Sequence, residues 1–119
     1  MTPVEVVETI IKNRETGELE ESLSLIAPDS LDQGAHVTRE DWRRKWEAMQ
    51  AGCPDMEVVT EHTLADGEWV AHRYTIRGTH TGDFFGRPPT GERFELLGLD
   101  MVRVVDGLLV EHWALAEQP

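Results

Sequence analysis

Two side chains near the carboxy terminus are suited to moving protons together. Asp100 follows the apolar run Leu96-Leu97-Gly98-Leu99, and His112 stands in Glu111-His112-Trp113, beyond an Asp106-Gly107 turn signal. A carboxylate facing an imidazole inside an apolar pocket orients the ring, raises its basicity and leaves one nitrogen free for proton transfer. Turn length decides whether the two meet. A bare two-residue turn sets Asp100 opposite Trp113, whereas a type I turn over Val105-Asp106-Gly107 with a bulge glycine sets Asp100 opposite His112 and Gly98 opposite Ala114. A buried Asp-His couple that only satisfies its own hydrogen bonds is the competing reading.

Other residues could line the same space. His80 ends the second long strand, where it could bind a carbonyl, donate a proton or simply anchor a loop; Tyr74 shares its strand parity and could present its hydroxyl or pack as a core tyrosine. Asp32, between Pro28 and Gly34, reads first as a turn or cap residue. Trp42, Trp46 and Met49 have the spacing of one helix face, with core packing as the default role and cavity lining as the second. Trp46 and Phe94 join the substrate-binding candidates. Five scattered histidines, His62 and His72 among them, show no ligand spacing, so no metal is expected. No Ser-His-Asp elbow, phosphate loop or dinucleotide fingerprint occurs, and no cofactor is expected.

The elements that must position these groups fall into two halves. Thr2-Pro3-Val4-Glu5 predicts a capped helix start, with Val7, Ile10 and Ile11 on one face and Gly17 at its end. Leu19, Leu23 and Ile26 predict a second short helix before Pro28. Thr38 and Asp41 open a third, which Gly52 and Pro54 stop. The period then changes to that of strands. Four are predicted, over 56–65, 68–81, 93–105 and 108–117, with hairpin turns at Asp66-Gly67 and Asp106-Gly107. Three helices covering one face of a curved antiparallel sheet make an α+β fold with a pocket at its open end. The stretch Gly78 to Gly91, with its glycines and Pro88-Pro89, would join two strands across the pocket mouth.

Composition narrows the function classes. The 119 residues fit a single domain spanning 1–119, and 39% hydrophobic residues suffice for a core. A formal charge of -12 repels phosphate backbones and anionic lipid, which argues against nucleic-acid and membrane partners. Cys53 is the single cysteine, so no internal disulfide forms and a reducing cytoplasm fits best. The acidic amino-terminal stretch is unlike a secretory signal, and a soluble, unprocessed chain is expected.

Gly78-Thr79-His80-Thr81-Gly82, Gly86-Arg87-Pro88-Pro89-Thr90-Gly91, Asp106-Gly107 and Glu111-His112-Trp113, with Cys53-Pro54-Asp55-Met56 before the first long strand, resemble the SnoaL-like polyketide cyclase family of the NTF2-like superfamily. The resemblance implies an α+β cone around a mostly apolar cavity, frequent homodimers, and cofactor-free acid-base chemistry on a polyketide. It further implies cavity positions at Gly98, Asp100 and Ala114, where the studied cyclases carry Gln, His and an acid-base Asp, and a cavity Asn near Asp32. The related limonene-epoxide hydrolase type carries Arg-x-Asp at Gly98 to Asp100 and Asp at Ala114, and of these Asp100 is kept. These cavity positions favour the register that sets Asp100 opposite His112. The expected function is thus a cyclase or isomerase acting on a largely apolar substrate, with Asp100 and His112 catalytic. A non-catalytic binding protein and an epoxide-opening enzyme are the alternatives.

On the opposite face of the last hairpin, Leu97, Leu99, Met101, Leu109, Trp113 and Leu115 form a surface too apolar for a monomer. A homodimer through that face is expected, with Arg103 and Glu111 at its border.

Overall fold

The computed structural model describes residues 1–84 and 86–118. Both strong helix starts are capping boxes. Helix α1 (Pro3–Glu15) is capped by Thr2, whose hydroxyl accepts from Glu5 N at 3.2 Å while the Glu5 carboxylate accepts from Thr2 N at 2.9 Å. Helix α3 (Arg39–Gly52) repeats the device with Thr38 and Asp41, at 3.2 and 2.8 Å. Such caps satisfy amides that the helix itself leaves open, each stabilising by about 1 kcal/mol.

Between them the chain departs from expectation. Helix α2 (Leu19–Ser24) stops short of Ile26, which begins a strand, β1 (Ile26–Asp32). Pro28 disfavours helical geometry for the residue before it, and the segment finds sheet partners on both sides. A Gln33-Gly34 turn, with φ of 55° and 84°, returns it antiparallel to β2 (Ala35–Thr38). The four expected strands follow as β3 (Glu57–Asp66), β4 (Trp69–Thr79), β5 (Arg93–Val105) and β6 (Leu108–Ala116). The sheet order is β2-β1-β6-β5-β4-β3, and β1 runs parallel to β6. The α+β class therefore holds: three helices pack on one curved, unclosed sheet of six strands. Asp66 pairs with Trp69, so the first long hairpin turns at Gly67-Glu68, one residue later than predicted.

The last hairpin corrects the expected register. Asp106 and Gly107 both adopt positive φ, 51° and 79°, giving a two-residue turn that pairs Val105 with Leu108. A bulge then leaves Val110 out of the pairing, and beyond it Arg103 faces Glu111, Val102 faces His112 and Asp100 faces Ala114. The favoured pairing of Asp100 with His112 is thus displaced by two residues. Because two is even, all four positions keep their faces. The bulge also turns Leu109 inward, where it is 4% exposed; its expected place on the outer face is overturned.

The core lies between helices and sheet: Val6, Val7 and Ile10 of α1, Leu23, Ile26, and Trp42 and Trp46 of α3 pack against Val70, Val102, Val104 and Leu109. Fully burying such a side chain stabilises by about 1.5–3 kcal/mol. Outside, Leu97, Leu99, Met101, Trp113 and Leu115 stand exposed on the far face of β5 and β6. Arg103 there is paired with Glu68 at 3.0 Å, while the Glu111 carboxylate accepts from Trp113 Nε1 at 2.7 Å.

The loop between β4 and β5 folds on itself more than across a mouth. Thr81 N and Gly82 N both donate to the Gly52 carbonyl at the end of α3, and the buried Phe84 packs with Phe94 and His80. Phe85 within this loop lies outside the described residues. None of the described helices is long and apolar enough to cross a membrane.

Candidate active site

Helices α1 and α3 and the inner faces of β3 to β6 enclose a cavity of about 420 Å³. Ile10, Trp42, Trp46, Met49, Val58 and Ile76 give it an apolar wall, and its size suits a small organic ligand. Against that wall stand a few polar groups: His112, Asp100, Lys45, Tyr74 and Arg14.

His112 is the centre of these. Parallel pairing of β1 with β6 sets Asp32 beside His112, and the Asp32 carboxylate lies 2.9 Å from His112 Nδ1. The other Asp32 oxygen takes a 2.8 Å bond from Lys45 Nζ. Nε2 of His112 points towards Asp100, 3.8 Å away, and Trp42 meets the imidazole edge-on at 5.4 Å between centroids. The side chains of His112, Asp32 and Asp100 are 15%, 14% and 13% exposed, so water screens them poorly. Burial opposes the imidazolium, but the carboxylates of Asp100 and Asp32 outweigh it and hold the His112 pKa above its ordinary value. Burial likewise works against the Asp32 carboxylate, yet His112 and Lys45 bring its pKa below the usual range. The Asp100 oxygen Oδ1 is buried without a hydrogen-bond partner among the described residues.

Asp32 therefore does more than close a turn. It flanks the Gln33-Gly34 turn, and in addition it bonds the imidazole. Gln33 secures it: the backbone N of Gln33 donates to the His112 carbonyl, and its side-chain amide exchanges two bonds with the Ala114 backbone, at 2.8 and 2.7 Å.

Tyr74 lies over Gly98 on the neighbouring strand and lines the cavity. A Cβ at residue 98 would overlap the tyrosine ring, so glycine here makes room for it. Burial and the Asp100 carboxylate push the phenol up to about 12, and it remains protonated at neutral pH. Trp46 and Ala114 line the cavity. His80 and Phe94 stand apart from it, in the cluster under the β4–β5 loop, where His80 Nε2 lies 3.3 Å from the Arg87 carbonyl and His80 is 1% exposed. His72 is also buried, directly across from Asp100, with both ring nitrogens unpartnered among the described residues. Among the described residues no group of three His, Cys, Asp or Glu side chains is arranged to hold a metal ion.

Lys45 and Arg14 were not singled out from the sequence, although a signal existed. Trp42, Lys45, Trp46 and Met49 share one helical face, as do Val7, Ile10, Ile11 and Arg14. In both stripes the cation falls where an apolar residue belongs.

The family model for SnoaL-like polyketide cyclases matches residues 4–118. The chain belongs to the SnoaL-like polyketide cyclase family. Among relatives, aklanonic acid methyl ester cyclase DnrD of Streptomyces peucetius is 24% identical over 119 residues, covering 93% of this chain and 81% of its own. Wild-type IdmH from Streptomyces antibioticus superimposes with a TM-score of 0.85 at 35% identity, covering 98% of this chain and 93% of the other. A SnoaL-like polyketide cyclase from Agrobacterium tumefaciens reaches a TM-score of 0.91 at 14% identity, over 99% of this chain and 93% of the other, a likeness of fold. The chain shares its arrangement of three helices on a curved sheet with both of these solved structures.

Proposed function

We propose that this protein is a cofactor-independent cyclase of largely apolar, polyketide-like substrates, working by proton transfer through His112. One observation carries the reading: an imidazole held between Asp32 and Asp100 in the wall of an otherwise apolar cavity. With Nδ1–H donated to Asp32, Nε2 holds a lone pair and can take a proton from carbon next to a carbonyl. The resulting enolate carbon attacks a second carbonyl of the same molecule, one carbon-carbon bond forms, and the new alkoxide takes the proton back from Nε2. Lys45 keeps Asp32 ionised, and the transient imidazolium rests between two carboxylates. The Asp100 carboxylate stands ready to pair with the N–H that Nε2 gains in that imidazolium, and Tyr74, protonated, can donate to a substrate oxygen.

The relatives' activity makes the aklanonic acid skeleton, offered both as methyl ester and as free acid, the first substrate to try. His112→Asn and Asp100→Asn should lower its turnover by about 10² to 10⁴ while the variants stay folded. Turnover unchanged in His112→Asn would sink the mechanism, and a protein that binds but never converts such substrates is an accessory module. The protein acts as one domain in a reducing cytoplasm, paired with a second copy through the exposed leucines, Met101 and Trp113 of its outer sheet face.

A further inference from the structure

The second polar end of the cavity is Arg14. It projects from the last turn of α1, and its guanidinium lies 4.6 Å from the centre of the Trp46 ring. Trp46 in turn packs 5.6 Å from Trp42, whose ring abuts His112, so two indoles separate the guanidinium from the imidazole. Among the described residues no carboxylate forms an ion pair with the cation. Its hydrogen bond among them reaches Met49 Sδ, at 4.0 Å, a weak acceptor. Glu15, the nearest acid on its own helix, accepts from Val58 N at 3.2 Å, and Glu47 borders the adjoining groove without pairing with it. Enclosure pulls the guanidinium down to about 10, so it remains charged at neutral pH with its planar donor fork largely unused. Elsewhere in the chain Arg43, Arg44, Arg77, Arg93 and Arg103 each meet a carboxylate.

We infer that Arg14 is the anchor for a carboxylate on the substrate, which is an oxo acid: an apolar body with its anion at Arg14 and its reacting carbonyl two indoles away at His112. This rests on the reading of His112 as the reacting end and adds the substrate class. A protein of net charge -12 repels anions at long range, so a local cation within an apolar enclosure is what such a ligand requires. A planar fork recognises a planar carboxylate through two parallel bonds and fixes its direction as well as its presence. The flanking indoles exclude water, which strengthens that pairing.

The test uses 2-naphthoate and its neutral isostere 2-naphthamide, titrated by intrinsic tryptophan fluorescence at pH 7.5. Wild type should prefer the acid by about ten-fold or more, and Arg14→Gln should reduce the ratio to below about three-fold. Arg14→Lys, which keeps the charge without the fork, should fall between. Circular dichroism confirms that each variant is folded; if Arg14→Gln is not, the lysine variant carries the test, and a ratio there equal to wild type overturns the fork. Equal affinity of wild type for acid and amide overturns the anchor while leaving the His112 reading intact. A preference that survives Arg14→Gln also overturns it and moves anion binding to Lys45. Failure of both probes to bind overturns the cavity, and with it both readings.

Discussion

The Asp32 carboxylate and the His112 Nδ1 atom lie 2.9 Å apart, joined by the parallel pairing of β1 and β6 across 80 residues of chain. That contact fixes the ring, and Lys45 on the far oxygen of Asp32 fixes the carboxylate.

Asp32→Asn removes one of the two negative charges that favour the imidazolium. If neutral His112 is the base, kcat/KM rises with pH along a limb whose midpoint in wild type lies above 6.5. In Asp32→Asn that limb should move to lower pH, because burial, which opposes the charged ring, is then less opposed. A pH-rate profile checks this, and an unmoved limb would show that Asp32 does not act through His112.

Stability should follow the same linkage. The folded His112 pKa is raised, so its ion pairing contributes fully below the unfolded value of 6.5 and is lost as pH rises through the folded value. The Asp32 pKa is lowered, so its share is present above 3.8 and is lost as pH falls through its folded value. The gap in unfolding free energy between wild type and His112→Asn should therefore be larger at pH 6 than at pH 9, as measured by urea denaturation. A constant gap counts against the pairing.

Gly98→Val places a side chain where the Tyr74 ring lies. Overpacking of this kind costs about 1–3 kcal/mol, and the displaced ring narrows the cavity. A lowered midpoint of thermal unfolding together with weaker ligand binding is expected. Unaltered values for both would show that the tyrosine has room to move.

On the outer face, Leu99 is 49% and Leu115 is 77% exposed. Leu99→Glu with Leu115→Glu should convert a wild-type dimer to a monomer in light-scattering chromatography, with the helical circular dichroism signal retained. A wild type that is monomeric at high concentration would remove the dimer.

What could be read beforehand was local. Thr2 and Thr38 announce their helices because a cap and its acid lie within one turn, and Asp106-Gly107 announces a turn for the same reason. β1 stayed hidden because its parallel partner lies far along the chain, and Pro28 in it looks like the stop of the preceding helix. With β1 hidden, Asp32 had no visible neighbour. His80 has the right strand parity, but the loop folds back over it, and packing against Phe84 and Phe94 is not encoded in parity. Asp100 and His112 were legible as facing one way because the expected and observed registers differ by two residues; the two-residue turn alone would have turned Trp113 inward, and the bulge at Val110 restores His112.

Val110 decides which residues face each other at the end of the chain. An alignment column counts residues, whereas a β-ladder counts hydrogen-bonded rungs, and Val110 fills a column without filling a rung. Cross-strand neighbours counted from the turn by residue number alone are therefore one position out beyond Val110. Removing Val110 would leave His112 looking inward, while one more residue beside it, left unabsorbed, would swing the imidazole out of the chamber and bring Trp113 in.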